Sequence, residues 1–406
     1  MADVNEGPAP RPRLLTRSPR MRATPAPLHP EVEALRNRAM ALDHLSRVLA
    51  IRPRERVLLL VDPLLDPRVV RVIEGVAGAR GATVRVFQEH TSQVTEIPDA
   101  VKPLLAEADF VVSTWFCSVI SPFCIDLRRR GQRWVKITYF RDLDLLDTPQ
   151  GRFPPELVGE LIRATAARIP RERPFEVSFT CPRGTAFRVG YTSAMAHALL
   201  AGNRWRGRML ADEPGCYVHY LPTHGPNLWD RTAHDNDADA PVSMSGVVVA
   251  EGAVGFPSPF PARVACRFEG DTVVEVDIAS DAPWARALRA DLPGARLIEL
   301  GCGFNPKAPR EVVYPAGSNA PGALHFGVDL RAPSDWLRRA LPRWEEPPVH
   351  VDLVLHDATV QIDGVPLVEA GRLVALDDPA VHAAAAAYGD PLDVLASADD
   401  PAGAPG

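Results

Sequence analysis

Between Arg296 and Gly364 the chain sets Glu299, His325, His350 and Asp352 inside segments that are otherwise apolar and short enough to be strands. Polar side chains of this kind survive in buried strands only if they meet a hydrogen-bonding partner or an ion. His350-Val351-Asp352 is the most constraining piece. In a strand, residues i and i+2 point to the same face, so this imidazole and carboxylate can reach one point. The following Leu353-Val354-Leu355 is apolar enough to bury that strand. His-x-Asp alone also reads as a simple hydrogen-bonded pair. Glu299, within Leu297-Ile298-Glu299-Leu300, and His325, within Ala323-Leu324-His325-Phe326, add two more donors of the type that hold divalent ions.

The same stretch imitates a nucleotide-type fold. Ile298-Glu299-Leu300-Gly301-Cys302-Gly303 looks like the glycine loop of a Rossmann-type methyltransferase, and Gly327-Val328-Asp329-Leu330 looks like its acidic second strand. In that fold the loop must open a helix, because loop and helix N-terminus together hold the cofactor. Here the loop runs into Asn305-Pro306, with Pro309, Pro315, Gly317 and Pro321 before the next strand, which argues against a crossover helix.

The residues resemble instead the thermophilic-type metallo-aminopeptidases (aminopeptidase T and S), with their relative, the iron-dependent 2,5-dihydroxypyridine dioxygenase. The match is an ordered string: Glu-Leu-Gly-x-Gly-x-Asn-Pro from Glu299 to Pro306, Gly-x-x-His from Gly322 to His325, His-x-Asp from His350 to Asp352, then Asp363-Gly364 and Gly371. Upstream, Val57 to Asp62 and the Gly81 region resemble the family's first α/β unit, and Pro182-Arg183-Gly184-Thr185 resembles the hairpin opening its second domain. The resemblance implies Glu299, His325, His350 and Asp352 as metal ligands, Glu299 as the catalytic residue, and a homodimer.

Two positions depart from the family. The aminopeptidases carry a Gly-Glu pair whose glutamate bridges two metals. The corresponding strand here is Met244-Ser245-Gly246-Val247-Val248, and Glu251 falls several residues late. The family also has a tyrosine seven residues after the histidine matching His325, where this chain has Ala332. Without a bridging carboxylate two close cations repel with little to neutralise them, so one divalent transition metal per chain is expected. The dioxygenase has His-x-Asp at the same place but a histidine where this chain has Glu299. Two histidines and a carboxylate suit Fe(II), and the same set suits Zn(II) with an open water position.

The N-terminus through about Pro30 is rich in Pro, Arg and Ala and reads as a disordered extension over 1–30. A helix with Val32, Leu35, Ala39, Leu42, Leu45 and Leu49 on its apolar positions follows. Arg56 to Asp62, Ala82 to Phe87 and Phe110 to Ser113 then read as buried strands around a helix from Pro67 to Ala79, which is βαβ spacing. Asp62 reads as a cap for the helix behind Pro63. Pro155 to Ile169 reads as an amphipathic helix, and beyond Arg171-Glu172-Arg173-Pro174 the pattern turns to period-two strands. The expected fold is a doubly wound α/β domain over 31–172, a strand-rich (α+β) metal-binding domain over 173–388 and a disordered tail over 389–406. Between Pro214 and Asp239, His219, His224 and His234 lie on a loop-like background, and in the resembling family this insert faces the metal cleft, which makes them substrate-loop candidates.

With a net charge of −6 and both signs mixed along the chain, no nucleic-acid footprint stands out, and Arg128-Arg129-Arg130 reads as a solvated helix end. No apolar run is long enough for a membrane span. Six cysteines without a CxxC pair point to free thiols and a cytoplasmic setting, with Cys302 a small apolar filler. The expected function is metal-dependent hydrolysis of a small peptide or amino-acid-like amide. The alternatives are a mononuclear Fe(II) ring-cleaving dioxygenase and a family member that binds a peptide or partner protein without turnover.

Overall fold

The computed structural model describes residues 29–90, 96–115, 117–137, 140, 142–195, 209–220, 229–230, 243–253, 255–310, 320–340 and 349–398. In chain order the strands are β1 (Arg56–Val61), β2 (Thr83–Gln88), β3 (Phe110–Ser113), β4 (Arg133–Lys136), β5 (Phe175–Thr180), β6 (Ala186–Tyr191), β7 (Tyr217–His219), β8 (Trp229–Asp230) and β9 (Ser243–Ala250). They continue with β10 (Gly252–Ala253), β11 (Val264–Glu269), β12 (Thr272–Ile278), β13 (Arg296–Cys302), β14 (Leu324–Leu330), β15 (Val349–Leu355), β16 (Thr359–Ile362), β17 (Val365–Glu369) and β18 (Arg372–Leu373).

The run Val57-Leu58-Leu59-Leu60-Val61 is apolar at every position, which suits a strand covered on both faces. Val57, Leu59 and Val61 enter one core with the helices Pro30–Leu49 and Pro67–Ala79, while Leu58 and Leu60 enter another with Lys102–Glu107 and Pro122–Arg129. Around β1 the strands run parallel in the order β2, β1, β3, β4, β7. This is a doubly wound α/β sheet. It draws β7 from beyond residue 173, so it extends past the boundary expected at 172.

The second sheet is antiparallel and follows the order β10, β15, β14, β13, β12, β11, β9, β6, β5, β16, β17, β18, with β8 paired beside β13. Apolar faces of most of its strands meet one large core. There Phe187 packs edge-on against both Phe268 and Phe326, and the helix Pro155–Ala166 adds Leu157, Leu161 and Ile162. Asp363 and Gly364 both take positive φ, 47° and 83°, and close the β16–β17 hairpin, a turn that Asp-Gly is suited to make.

Several sequence expectations change here. The cap of the helix Pro67–Ala79 is Asp66, whose side chain accepts from the Arg68 N–H; Asp62 accepts from Leu64 N–H in the preceding turn. Arg128 is not a solvated helix end. It is buried, donates to the Ser118 carbonyl and lies over the rings of Trp134 and Tyr217, which replace water around its guanidinium. Within the expected tail, Pro391–Leu395 form a helix capped by Asp390, and Ala398 N–H bonds to the Pro306 carbonyl. The N-terminal extension lies outside the described residues apart from its last two. Among the described residues no helix is long and apolar enough to cross a membrane. The six cysteines form no disulfide, and burial in the large core pushes the Cys302 thiol up to about 12.

Candidate functional site

β13, β14 and β15 lie side by side, and their register brings the polar residues to one face. Glu299 stands opposite Gly327, and Gly327 opposite Asp352; Gly301 stands opposite His325, and Asp329 opposite His350. On β14 and β15 this follows from the period of two alone. On β13 it does not. Leu297 pairs with Val328, but the next pair is Glu299 with Gly327, so Ile298 is an extra residue in a bulge. Leu297 and Leu300 both enter the core although they are an odd number of residues apart. Without the bulge Glu299 would stand opposite Phe326, on the core face; with it, Glu299 shares the face of His325. Antiparallel pairing of β13 with β14 also rules out the methyltransferase arrangement, which needs parallel neighbours.

The donors lie close together. His325 Nε2 is 3.5 Å from Glu299 Oε1, His350 Nε2 is 3.7 Å from Glu299 Oε2 and 3.1 Å from Asp352 Oδ1, and His350 Nδ1 is 3.1 Å from Asp329 Oδ1. Side-chain exposure rises from 1% at His325 through 18% at His350 to 25% at Asp329, so the cluster is deepest at His325 and opens toward Asp329. Two glycines make the room. A Cβ on Gly301 would stand 2.0 Å from His325 Cε1, and one on Gly327 would stand 2.5 Å from His350 Cε1 and 3.0 Å from Glu299 Cβ. Each imidazole therefore lies over a glycine of the neighbouring strand.

The charges support one another. Burial opposes a charge on His350, yet its hydrogen bonds to Asp329 and Asp352 prevail and hold its pKa well above the ordinary imidazole value. Burial likewise opposes charge on His325, and Asp352 and Glu299 raise its pKa in spite of that. Asp352 is pushed up by burial but pulled down further by His325 and His350, and ends below the usual carboxylate range.

Asp329 escaped the sequence reading as a site residue because its strand also fits the methyltransferase pattern. The signal was the alternation His325-x-Gly327-x-Asp329, which places all three on one strand face. His219 is on the edge strand β7 of the parallel sheet rather than in a loop, with its ring edge-on to Tyr217. His224 and His234 lie outside the described residues.

Gly246, in the strand Met244-Ser245-Gly246-Val247-Val248, has no room for a side chain. It has φ 135°, and a Cβ there would stand 2.1 Å from the Ala186 carbonyl oxygen. Glu251, the nearest later carboxylate, is held by Arg183 and by the backbone N–H and ring of His356, while Arg183 also bonds Asp357 at 2.7 Å.

Two imidazoles and two carboxylates form a donor set that suits a divalent transition metal. Their separations of 3.1 to 3.7 Å are near those of neighbouring ligands on an ion with contacts of about 2.0–2.2 Å, which stand roughly 3 to 3.5 Å apart. Among the described residues no three His, Cys, Asp or Glu side chains are already posed around an ion position, and the contacts are those of a hydrogen-bonded cluster. The four side chains are nonetheless spaced as neighbouring ligands are, and the glycine cradles seat both imidazoles beside the carboxylates.

No protein-family model matches the sequence, and no curated protein matches it. Among solved structures, 2,5-dihydroxypyridine dioxygenase from Pseudomonas putida KT2440 is similar, with a TM-score of 0.55 and 17% identity over 86% of this chain and 98% of that one. The two share a fold. AmpT from Thermus thermophilus matches with a TM-score of 0.44 and 15% identity over 84% of this chain and 99% of that one.

Proposed function

We propose that this chain is an enzyme with a single divalent transition metal, held by His325, His350 and Asp352 with Glu299 beside them, and that it hydrolyses a peptide or an amino-acid-derived amide. The observation that carries this reading is the meeting of these four side chains on one sheet face, brought about by a bulge and two glycines. A metal bound there supplies a Lewis acid that polarises a carbonyl and an activated water. Glu299 reaches toward both imidazoles and is suited to take a proton from the attacking water and return it to the leaving amine. Asp352 would bring a negative charge that offsets part of the charge of the ion. Gly246 and the engagement of Glu251 support one metal rather than two.

The second reading is a mononuclear Fe(II) ring-cleaving dioxygenase, favoured by the two-histidine, one-carboxylate set and by the fold shared with the Pseudomonas enzyme. Elemental analysis of protein purified without chelator is expected to give about one metal per chain. Turnover of amino-acid anilides with zinc under anaerobic conditions supports hydrolysis. Turnover of dihydroxypyridines that requires both iron(II) and oxygen replaces it with the second reading, and a chain without metal that binds peptide and turns over neither class would make it a binding protein.

A further inference from the structure

We propose that Asp329 is a positioning residue that fixes how His350 is presented to the metal, an inference that rests on the metal reading above. Asp329 stands opposite His350 in the β14–β15 register, and its Oδ1 lies 3.1 Å from His350 Nδ1. The other ring nitrogen, Nε2, lies 3.1 Å from Asp352 Oδ1 and 3.7 Å from Glu299 Oε2. The ring therefore separates Asp329 from the remaining donors. The contact with Asp329 Oδ1 uses Nδ1 as the hydrogen-bonding nitrogen, with N–H donating to the carboxylate oxygen. In the metal-free protein Nε2 faces Asp352 in the same way, and it is the Nε2 proton that an ion among Glu299, His325 and Asp352 would displace, leaving the Nδ1 proton directed at Asp329. Gly327 completes the arrangement, because the ring lies where its Cβ would be and has a floor as well as a side support.

This geometry is that of a carboxylate holding the far nitrogen of a metal-binding imidazole, which orients the ring and raises its basicity. Asp329 could instead be an ion-pair partner that matters only for stability, and the two roles differ in what they predict for metal affinity. The same face of β14 also carries His325, so one strand supplies a candidate ligand and the support of another.

The test uses the full chain, zinc titration against a competing chelator, and NMR of zinc-loaded protein labelled with 15N at histidine. In the wild type, His350 is expected to keep its proton on Nδ1 and to show the zinc-bound shift at Nε2. Asp329→Ala is expected to weaken zinc binding about 10- to 100-fold. Asp329→Asn is expected to weaken it less, because the amide oxygen still accepts from Nδ1–H, and it serves where the alanine variant does not fold. Unchanged zinc affinity in the variants, or a wild-type spectrum with zinc on Nδ1, overturns the proposal. Equal losses in both variants would make Asp329 a ligand in its own right and overturn the positioning role. A wild type that binds neither zinc nor iron(II) overturns the metal reading together with this one, whereas zinc-binding wild type with unaffected variants overturns this one alone.

Discussion

A methyl group on Gly301 would overlap the His325 ring, and one on Gly327 would overlap the His350 ring. Neither glycine sits in the left-handed region, so alanine is tolerated by the backbone and the penalty is steric alone. Gly301→Ala and Gly327→Ala are expected to destabilise the protein by about 1–3 kcal/mol through overpacking and to lower metal content. Gly75→Ala provides the contrast. It lies in the helix Pro67–Ala79 with nothing within 4 Å of its Cβ position, and is expected to stabilise by about 0.5–1 kcal/mol while leaving metal content unchanged. Urea unfolding and elemental analysis check all three. At this scale His350-x-Asp352 was legible because strand period alone brings those side chains together, while Arg128 was misread because a charge run says nothing of the Trp134 and Tyr217 rings that bury it.

Glu251 ties together elements far apart in sequence: the β5–β6 turn through Arg183, the end of β9, and the residue after β15 through His356. Burial opposes its ionisation, but the hydrogen bonds to His356 and Arg183 prevail, and its pKa is held below the ordinary carboxylate value. A group whose folded pKa is depressed contributes stability above its unfolded value, and that contribution disappears as pH falls from there toward the folded pKa. Stability of the wild type is therefore expected to fall from just below the ordinary value of 4.5 downward. Glu251→Gln should start lower and fall less steeply across the same range, with urea midpoints against pH as the measurement. A variant whose slope matches that of the wild type would remove Glu251 from the acid limb.

At the scale of the whole molecule, the large sheet puts its apolar side into the core and leaves the cluster on the other side, so the cluster residues can change without emptying the core. In the metal-free protein the raised pKa values of His325 and His350 mean that protons compete for the donor nitrogens. The stability contributed by their charged forms is present below the ordinary imidazole value of 6.5 and lost as pH rises through the raised values. Bound metal stabilises the folded state by mass action and needs the neutral imidazoles. The zinc-induced rise in Tm is therefore expected to grow as pH increases above 6.5, with proton release on binding detectable by calorimetry in buffers of different ionisation enthalpy. A Tm shift that is flat across this range would contradict direct ligation by the histidines.

The period-two runs from β5 onward and the continuous apolar run of β1 were readable from the sequence, because each depends on the local geometry of a few neighbouring residues. So were Glu299, His325, His350 and Asp352 as a set, through their place in apolar strands. Which strands are neighbours, and in which register, is settled by contacts between residues remote in the chain. The bulge at Ile298 is one such case: Leu297-Ile298-Glu299-Leu300 has no clean alternation, and only pairing with β14 turns Glu299 away from Phe326 and toward His325. Asp329 is another, since its contact with His350 exists only in that register. Local propensity chose the elements, and tertiary pairing chose the faces, because a one-residue change in register exchanges the two sides of a strand.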